Sequence, residues 1–271
     1  MTLADKTLRA ADLLVEAHGL ADLAGKRILP YFRKAMQVEN KQAGQGFDPV
    51  TLADKAAERA MRQALRKRFP EHGIVGEEYA AHVSECRYRW VLDPIDGTRA
   101  FICGFPLWGV LIGLLDGDDA ILGMMDQPYT RERFWAVAGK AQMRAGDGKM
   151  RPLKTRSCRT LAEATVVATA PDMFKGAFEQ AAFARVSESA RLTRFGGDCY
   201  AYCMLAAGHV DLVVEASLKQ VDIVALIPII EGAGGRITTW DGRAATNGGR
   251  IIAAGDPRMH AAALKLLAEV A

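Results

Sequence analysis

No stretch of the sequence is able to span a bilayer: the longest apolar runs, such as Val224 to Ile230, are far too short. Asp5, Lys6, Arg9, Asp12 and Glu16 break up anything like the apolar core of a signal peptide. These absences set the expectation of a cytoplasmic protein with no membrane partner. There is no Cys-x-x-Cys pair. The five cysteines (Cys86, Cys103, Cys158, Cys199 and Cys203) are odd in number, which speaks for free thiols in a reducing compartment. The five histidines are scattered, with no His-Glu-x-x-His, so a zinc site is not expected. No block of Lys and Arg stands out. Thirty-five basic side chains face 32 acidic ones, a net charge of +3, and no nucleic-acid partner is expected. Internal repeats and low-complexity segments are missing as well. What is present is 271 residues, 50% hydrophobic and 25% charged. That is enough for one large domain or two fused lobes with a sizeable core.

Apolar spacing predicts helix over residues 4–38, with breaks near Gly19 and Pro30, then a polar, glycine-rich loop from Val38 to Phe47. A second helix is predicted from Thr51 to Phe69. Short β-like runs follow at Gly73–Gly76, Tyr88–Asp93, Leu107–Leu115, Ala120–Met125 and Arg133–Ala138, with Asp116-Gly-Asp-Asp119 as a hairpin turn. Past residue 140 the two kinds of element alternate. Strands are predicted at 165–169, 191–195, 210–215, 236–239 and 250–254, and helices at 175–184, 199–207, 221–232 and 257–270. Alternation of this kind means layers. The expected fold class is α/β: an α+β half over residues 1–140 and an α/β half over 141–271, joined in one compact unit.

The chemistry concentrates in Trp90-Val-Leu-Asp93-Pro-Ile-Asp96-Gly97-Thr98. A hydrophobic strand ends in an aspartate, a tight turn follows, and a second aspartate comes three residues on. Two carboxylates so placed can converge on one cation, with the Ile95 carbonyl as a third oxygen. Oxygen-only ligands select hard ions such as Mg²⁺ or Mn²⁺. The Gly97 and Thr98 amides, at a helix start, suit a phosphate. Asp-Pro and Asp-Gly are also ordinary turn dipeptides, so these residues alone admit both a turn and a metal site. Three further acidic places bear on the choice. Glu77 and Glu78 follow a short strand, as an exposed helix start also would. Asp48-Pro-Val-Thr51-Leu-Ala-Asp54 opens a helix, where Asp48 or Thr51 also suits an N-cap. Asp222 lies in the apolar run Val221-Asp-Ile-Val-Ala-Leu-Ile, where it suits an N-cap, or a buried charge in need of a partner or a metal.

In their order, these motifs resemble the inositol monophosphatase superfamily of Mg²⁺-dependent phosphate monoester phosphatases, over nearly the whole chain. The resemblance implies the layered αβαβα fold of the sugar phosphatases, a homodimer, and two or three Mg²⁺ ions per site with Mn²⁺ as a substitute. It implies that Glu77, Asp93 and the Ile95 carbonyl hold one ion and that Asp93, Asp96 and Asp222 hold a second. Thr98, paired with Asp54, would activate water for direct in-line attack, with Glu77 counted among the catalytic residues and Gly97 and Thr98 at the phosphate. Lys41 reads first as a solvated loop lysine, and otherwise as a contact to the phosphate or to a third ion's water.

Four segments resemble the histidinol-phosphate phosphatase branch: Gly97-Thr-Arg-Ala-Phe-Ile-Cys-Gly-Phe-Pro106, Asp126-Gln-Pro128, Phe195-Gly-Gly-Asp198-Cys-Tyr-Ala-Tyr202 and Gly208-His-Val-Asp-Leu-Val-Val-Glu215. The branch implies hydrolysis of L-histidinol phosphate in histidine biosynthesis, with Asp198, Glu215 and Asp222 on the substrate side. Two carboxylates suit a leaving group that carries an ammonium and an imidazole. Asp198 equally suits an N-cap of the 199–207 helix, and Glu215 an arginine partner. Val221 and Gln220 depart from the aromatic residue and the proline usual there. An inositol-1-monophosphatase or broader sugar-phosphate phosphatase is the alternative, and a metal-binding regulatory protein without turnover is the second. Pro228 is expected to kink its helix.

Overall fold

The structure, a computed structural model, describes residues 9–35, 38–40 and 49–268. Helix α1 (Ala10–Ile28) buries Leu13, Ala17, Leu20, Ala21, Ala24 and Ile28, a stripe at helical spacing. It runs unbroken through Gly19, against expectation. Gly19 lies on the exposed face, and its penalty of about 1 kcal/mol is outweighed by the buried stripe. From the expected loop, Val38–Asn40 forms β1, which pairs antiparallel with β2 (Pro49–Thr51). Residues 41–48, Lys41 and Asp48 among them, lie outside the described residues.

Helix α2 (Leu52–Arg68) starts at Thr51, whose hydroxyl accepts from the Ala53 N–H. Together α1 and α2 cover one face of a seven-stranded sheet. Its strands follow in chain order: β3 (Gly73–Gly76), β4 (Tyr88–Asp96), β5 (Gly109–Asp116), β6 (Asp119–Gln127), β7 (Glu132–Val137), β8 (Lys140–Arg144) and β9 (Met150–Pro152). Only β3 and β4 run parallel. The short α3 (Thr98–Ile102) follows β4. Strands β8 and β9 carry this sheet past residue 140, where the sequence pattern turns to alternation.

The second sheet has the order β11–β10–β12–β14–β13, built from β10 (Thr165–Ala168), β11 (Leu192–Phe195), β12 (Leu212–Leu218), β13 (Arg236–Thr239) and β14 (Gly249–Ala254). Helices α4 (Gly176–Ser189) and α8 (Pro257–Ala268) pack on its outer face through Phe183, Val186, Met259 and Ala263. Between the sheets lie α5 (Asp198–Ala206), α6 (Gln220–Ile223) and α7 (Leu226–Gly232). Their core joins Leu111, Met125 and Phe134 of the first sheet to Val213, Ile251 and Ala253 of the second. The layers are therefore αβαβα.

The single helix expected over 221–232 is two helices. The helical hydrogen bonding breaks at Val224 and Ala225, although their backbone stays helical (φ -57° and -66°), and Pro228, having no N–H to offer the Val224 carbonyl four residues earlier, interrupts the ladder there as expected. The first sheet packs closely against this break. Gly113 and Gly123 are cross-strand partners beneath it. A Cβ on Gly123 would overlap the Ala225 carbonyl oxygen, and one on Gly113 would stand 2.7 Å from Val224 Cγ1.

His260 of α8 is 1% exposed, with a ring nitrogen 2.8 Å from Thr238 Oγ1. Burial, reinforced by Arg236, lowers its pKa to about 4. A free imidazole titrates near 6.5, so between about pH 6.5 and 4 the unfolded chain takes a proton that the folded chain refuses. Stability contributed by this residue therefore falls as pH drops, by ~2 kcal/mol between pH 7 and pH 5. Thermal melts across that range should show a smaller loss of Tm for His260→Gln than for the wild type. Parallel curves would place the acid sensitivity elsewhere.

Candidate metal centre and active site

Side chains alternate across β4. Trp90 and Leu92 pack toward α1 and α2, while Val91 packs on the other face with Leu115, Val221 and Val224. Asp93 shares the face of Val91. In a regular strand Asp96 would point the opposite way. Here Asp93 pairs with Leu111 and Asp96 with Gly109, so β4 carries one residue more than β5 across this stretch. The bulge turns Asp96 to the side of Asp93. The strand thus runs on to Asp96 instead of ending at Asp93. Helix α6 brings Asp222 onto the pair, and carboxylate oxygens of Asp93, Asp96 and Asp222 lie within 4.8 Å of one another.

Each acid is held by a backbone amide. Asp93 Oδ1 accepts from the Ile95 N–H at 3.0 Å, and Asp96 Oδ2 from the Cys199 N–H at the start of α5, at 2.7 Å. Asp222 is the third residue of α6, not its N-cap, and Oδ2 accepts from the N–H of the capping residue Lys219 at 2.7 Å. Burial, then the neighbouring acids Glu77, Asp96 and Asp222, push the Asp93 pKa well above the carboxylate range. Burial with Asp198 and Asp222 does the same to Asp96. Asp222 is raised to about 7, mainly by burial. Acids gathered so closely that Asp96 and Asp222 raise the proton affinity of Asp93, and Asp222 that of Asp96, call for a cation, and these carboxylates offer it oxygen alone. The donor chemistry fits a hard divalent ion.

The other expected residues surround this triplet. Glu77 stands outside it, with Oε1 3.0 Å from Lys219 Nζ. Asp54 is fully buried as the third residue of α2, and its Oδ2 accepts from the Thr51 N–H at 2.9 Å and the Thr51 hydroxyl at 2.6 Å. The same end-of-helix device therefore fixes Asp54 and Asp222. The Thr98 hydroxyl donates to the Ile95 carbonyl oxygen at 3.0 Å. Gly97 is left-handed (φ 82°), and a Cβ there would stand 3.0 Å from Asp198 Cγ.

Asp198 does not cap α5. Gly197 takes that place, and Asp198 is the first helical residue, itself left-handed at φ 44°, with burial raising its pKa to about 6 against the pull of Arg99. Glu215 is 2% exposed and, among the described residues, has no arginine within ion-pair distance. It accepts from the Thr169 N–H and the Tyr202 hydroxyl, both at 2.9 Å, and burial raises its pKa to about 7. Strand β12 also bulges, between Glu215 and Leu218. Asp96, Asp198, Glu215 and Asp222 line one small cavity of about 70 Å³ with Thr169 and Tyr202. Asp126-Gln-Pro128 lies elsewhere. Asp126 pairs with Arg133 at 2.6 Å, Gln127 bonds to the Trp108 carbonyl, and Pro128 abuts Gly25, tying the sheet to α1.

Sequence reasoning missed Lys219 and Thr169. The only signal for Lys219 was its place three residues before Asp222, and for Thr169 its place at a strand end.

Residues 10–271 match the inositol monophosphatase family. The chain is 41% identical over 261 residues to the bifunctional phosphatase IMPL2, chloroplastic, of Arabidopsis thaliana, covering 92% of this chain and 73% of the relative. It is 36% identical over 225 residues to the histidinol-phosphatase of Chlorobaculum parvum, covering 83% and 84%. The solved structure of an inositol monophosphatase from Zymomonas mobilis matches it with a TM-score of 0.84 at 40% identity, over 96% of this chain and 99% of that one. Matches of this length, on a fold whose bulged strand gathers an oxygen-only acid triplet, agree with one another: the chain belongs to the inositol monophosphatase family of metal-dependent phosphatases.

Proposed function

We propose that the protein is a Mg²⁺-dependent histidinol-phosphate phosphatase, converting L-histidinol phosphate and water to L-histidinol and phosphate. The observation that carries this reading is Asp198, a half-buried acid held against Gly97 on the cavity it shares with Asp96 and Asp222. Its left-handed backbone costs about 1–3 kcal/mol, a strain that aims the carboxylate beside the metal ligands. Glu215, fully buried, adds a second acid to the same wall. Such a lining suits an ammonium and an imidazole, whereas a neutral polyol offers it hydroxyl donors but no opposite charge. Similarity to the histidinol-phosphatase of Chlorobaculum parvum supports this substrate. Similarity to the inositol monophosphatase of Zymomonas mobilis favours a second reading, an inositol 1-phosphatase.

In this reading Glu77, Asp93 and the Ile95 carbonyl would hold one Mg²⁺, and Asp93, Asp96 and Asp222 the other. Bound ions supply Lewis-acid neutralisation of the phosphoryl oxygens. Asp93 and Asp96 are already fixed by the amides of Ile95 and Cys199, so they need little reorganisation. Thr98 with Asp54 orients the attacking water, and the Gly97 and Thr98 amides bind phosphate. The five unpaired thiols suit a reducing cytoplasm, and a homodimer belongs to the same reading. Among the described residues no helix is long and apolar enough to cross a membrane.

Phosphate release from histidinol phosphate and inositol 1-phosphate, measured side by side with Mg²⁺, tests the choice. A higher kcat/KM for histidinol phosphate is expected, and the opposite preference overturns it. A charge-assisted hydrogen bond contributes about 1.5–3 kcal/mol. Asp198→Asn should therefore lower kcat/KM for histidinol phosphate by about one to two powers of ten, with little effect on inositol 1-phosphate. Equal losses on both substrates at an unchanged Tm would make Asp198 structural.

A further inference from the structure

Helix α2 carries Asp54 in its first turn. One and two turns on, Glu58 and Arg62 fall on the same face. Glu58 is 0% exposed and Arg62 6%. Arg62 Nε donates to Glu58 Oε1 at 2.7 Å. The pair then turns its remaining capacity on a single backbone segment. Glu58 Oε2 accepts from the Glu78 N–H at 2.7 Å, Glu58 Oε1 from the Tyr79 N–H at 3.3 Å, and Arg62 Nη2 donates to the Tyr79 carbonyl oxygen at 2.9 Å. The Tyr79 hydroxyl closes back on the helix, accepting from Arg59 Nη2 at 3.0 Å and donating to the Lys55 carbonyl oxygen at 3.1 Å. Gly76 allows the approach, since a Cβ there would overlap the Glu58 carboxylate. The segment gripped in this way carries Glu77.

An exposed Glu–Arg pair at this spacing is a routine helix contact. A buried one is a weak source of stability, because desolvation offsets the attraction. This pair directs its hydrogen bonds to the loop that holds an expected metal ligand. We propose that Glu58 is a positioning residue: through the N–H groups of Glu78 and Tyr79 it fixes Glu77 within reach of Asp93, and so sets the affinity for the ion that Glu77 shares. The inference rests on the metal-site reading above. Without the clamp, ion binding would have to order the loop as well. Loss of such outer contacts typically lowers metal affinity about 10- to 100-fold.

Two variants reach the same bond from different sides. Glu58→Asp keeps the charge beside Arg62 but is one methylene short of the Glu78 and Tyr79 amides. Gly76→Ala keeps Glu58 intact and displaces its carboxylate. Mn²⁺ binding to the full chain, followed by calorimetry, is read beside Tm in EDTA and kcat at saturating Mg²⁺, with Glu77→Ala marking the ion concerned. The expected result is that both variants weaken that one ion about 10- to 100-fold, spare the other, and keep kcat at saturating metal within a few-fold of wild type. Unchanged Mn²⁺ affinity in both variants overturns the proposal, as does a loss shared equally by both ions in step with Tm. A wild-type chain that binds no Mn²⁺ overturns both this inference and the metal-site reading. Wild-type binding with unaffected variants overturns the inference alone.

Discussion

Asp93→Asn should lower kcat by about three to four powers of ten, and exhaustive EDTA treatment should abolish turnover until Mg²⁺ is restored. Asp93 lies at the centre of the acid cluster, and it is the one carboxylate expected to serve both ions. Asn has nearly the same shape and can still accept from the Ile95 N–H through its amide oxygen. The fold should therefore survive. Removing one of several mutually repelling buried acids also predicts a Tm in EDTA at or above that of wild type, together with loss of the stabilisation that Mg²⁺ gives the parent. This combination separates a lost ligand from a broken core. Full activity after chelation, or a variant within tenfold of wild type, would sink the metal assignment.

Thr98→Ala and Asp54→Asn should each lower kcat by about two to four powers of ten, the range for a positioned acid–base group. A threonine hydroxyl is too weak a base to act alone, so the two residues are expected to act as one unit on the water. The double variant should then be little slower than the slower single one. Thr98→Ser keeps the hydroxyl that donates to the Ile95 carbonyl and should restore most of the rate. Asp54→Asn can still accept from the Thr51 N–H, so its Tm should stay within the effect of a helix cap, about 1 kcal/mol. Single losses that multiply cleanly in the double variant would show two independent roles.

The site was legible in the sequence where its residues are neighbours. Asp93, Ile95, Asp96 and Thr98 lie within six positions of one another, and Asp222 stands out as a charge in an apolar run. The family and the layered fold followed from the order of such motifs. What remained hidden depends on contacts between distant residues. The bulge that aligns Asp93 with Asp96 is a matter of register against β5. The break between α6 and α7 has a local signal in Pro228, but the close approach of Gly113 and Gly123 beneath it belongs to another layer and could not be read locally. Glu58 and Arg62 stand four apart within a predicted helix, a spacing common to exposed pairs, and nothing local reveals that Gly76 lets a loop come down on them. Gly19 misleads for the opposite reason: its local signal is overridden by the buried face across the helix. Strand β8 (Lys140–Arg144) does alternate, with Ala141 and Met143 between polar residues, but over only five positions, and β9 (Met150–Pro152) is a three-residue exposed edge, so neither is long enough to stand out as a strand.

The cradle formed by Gly113 and Gly123 has a further consequence, for the order in which the chain is made. A ribosome completes the first sheet at Pro152, long before it adds Val224 and Ala225, which fill that cradle. In the interval Leu111, Met125 and Phe134, all fully buried in the finished protein, have no helix layer above them. The growing chain therefore passes through a stage with a formed sheet, a bare apolar face and two unanswered aspartates, Asp93 and Asp96, awaiting a third that is not yet translated. Such a stage favours chaperone capture and aggregation. A premature stop between the two sheets should leave an adhesive fragment, its first sheet covered by α1 and α2 on one face and bare on the other.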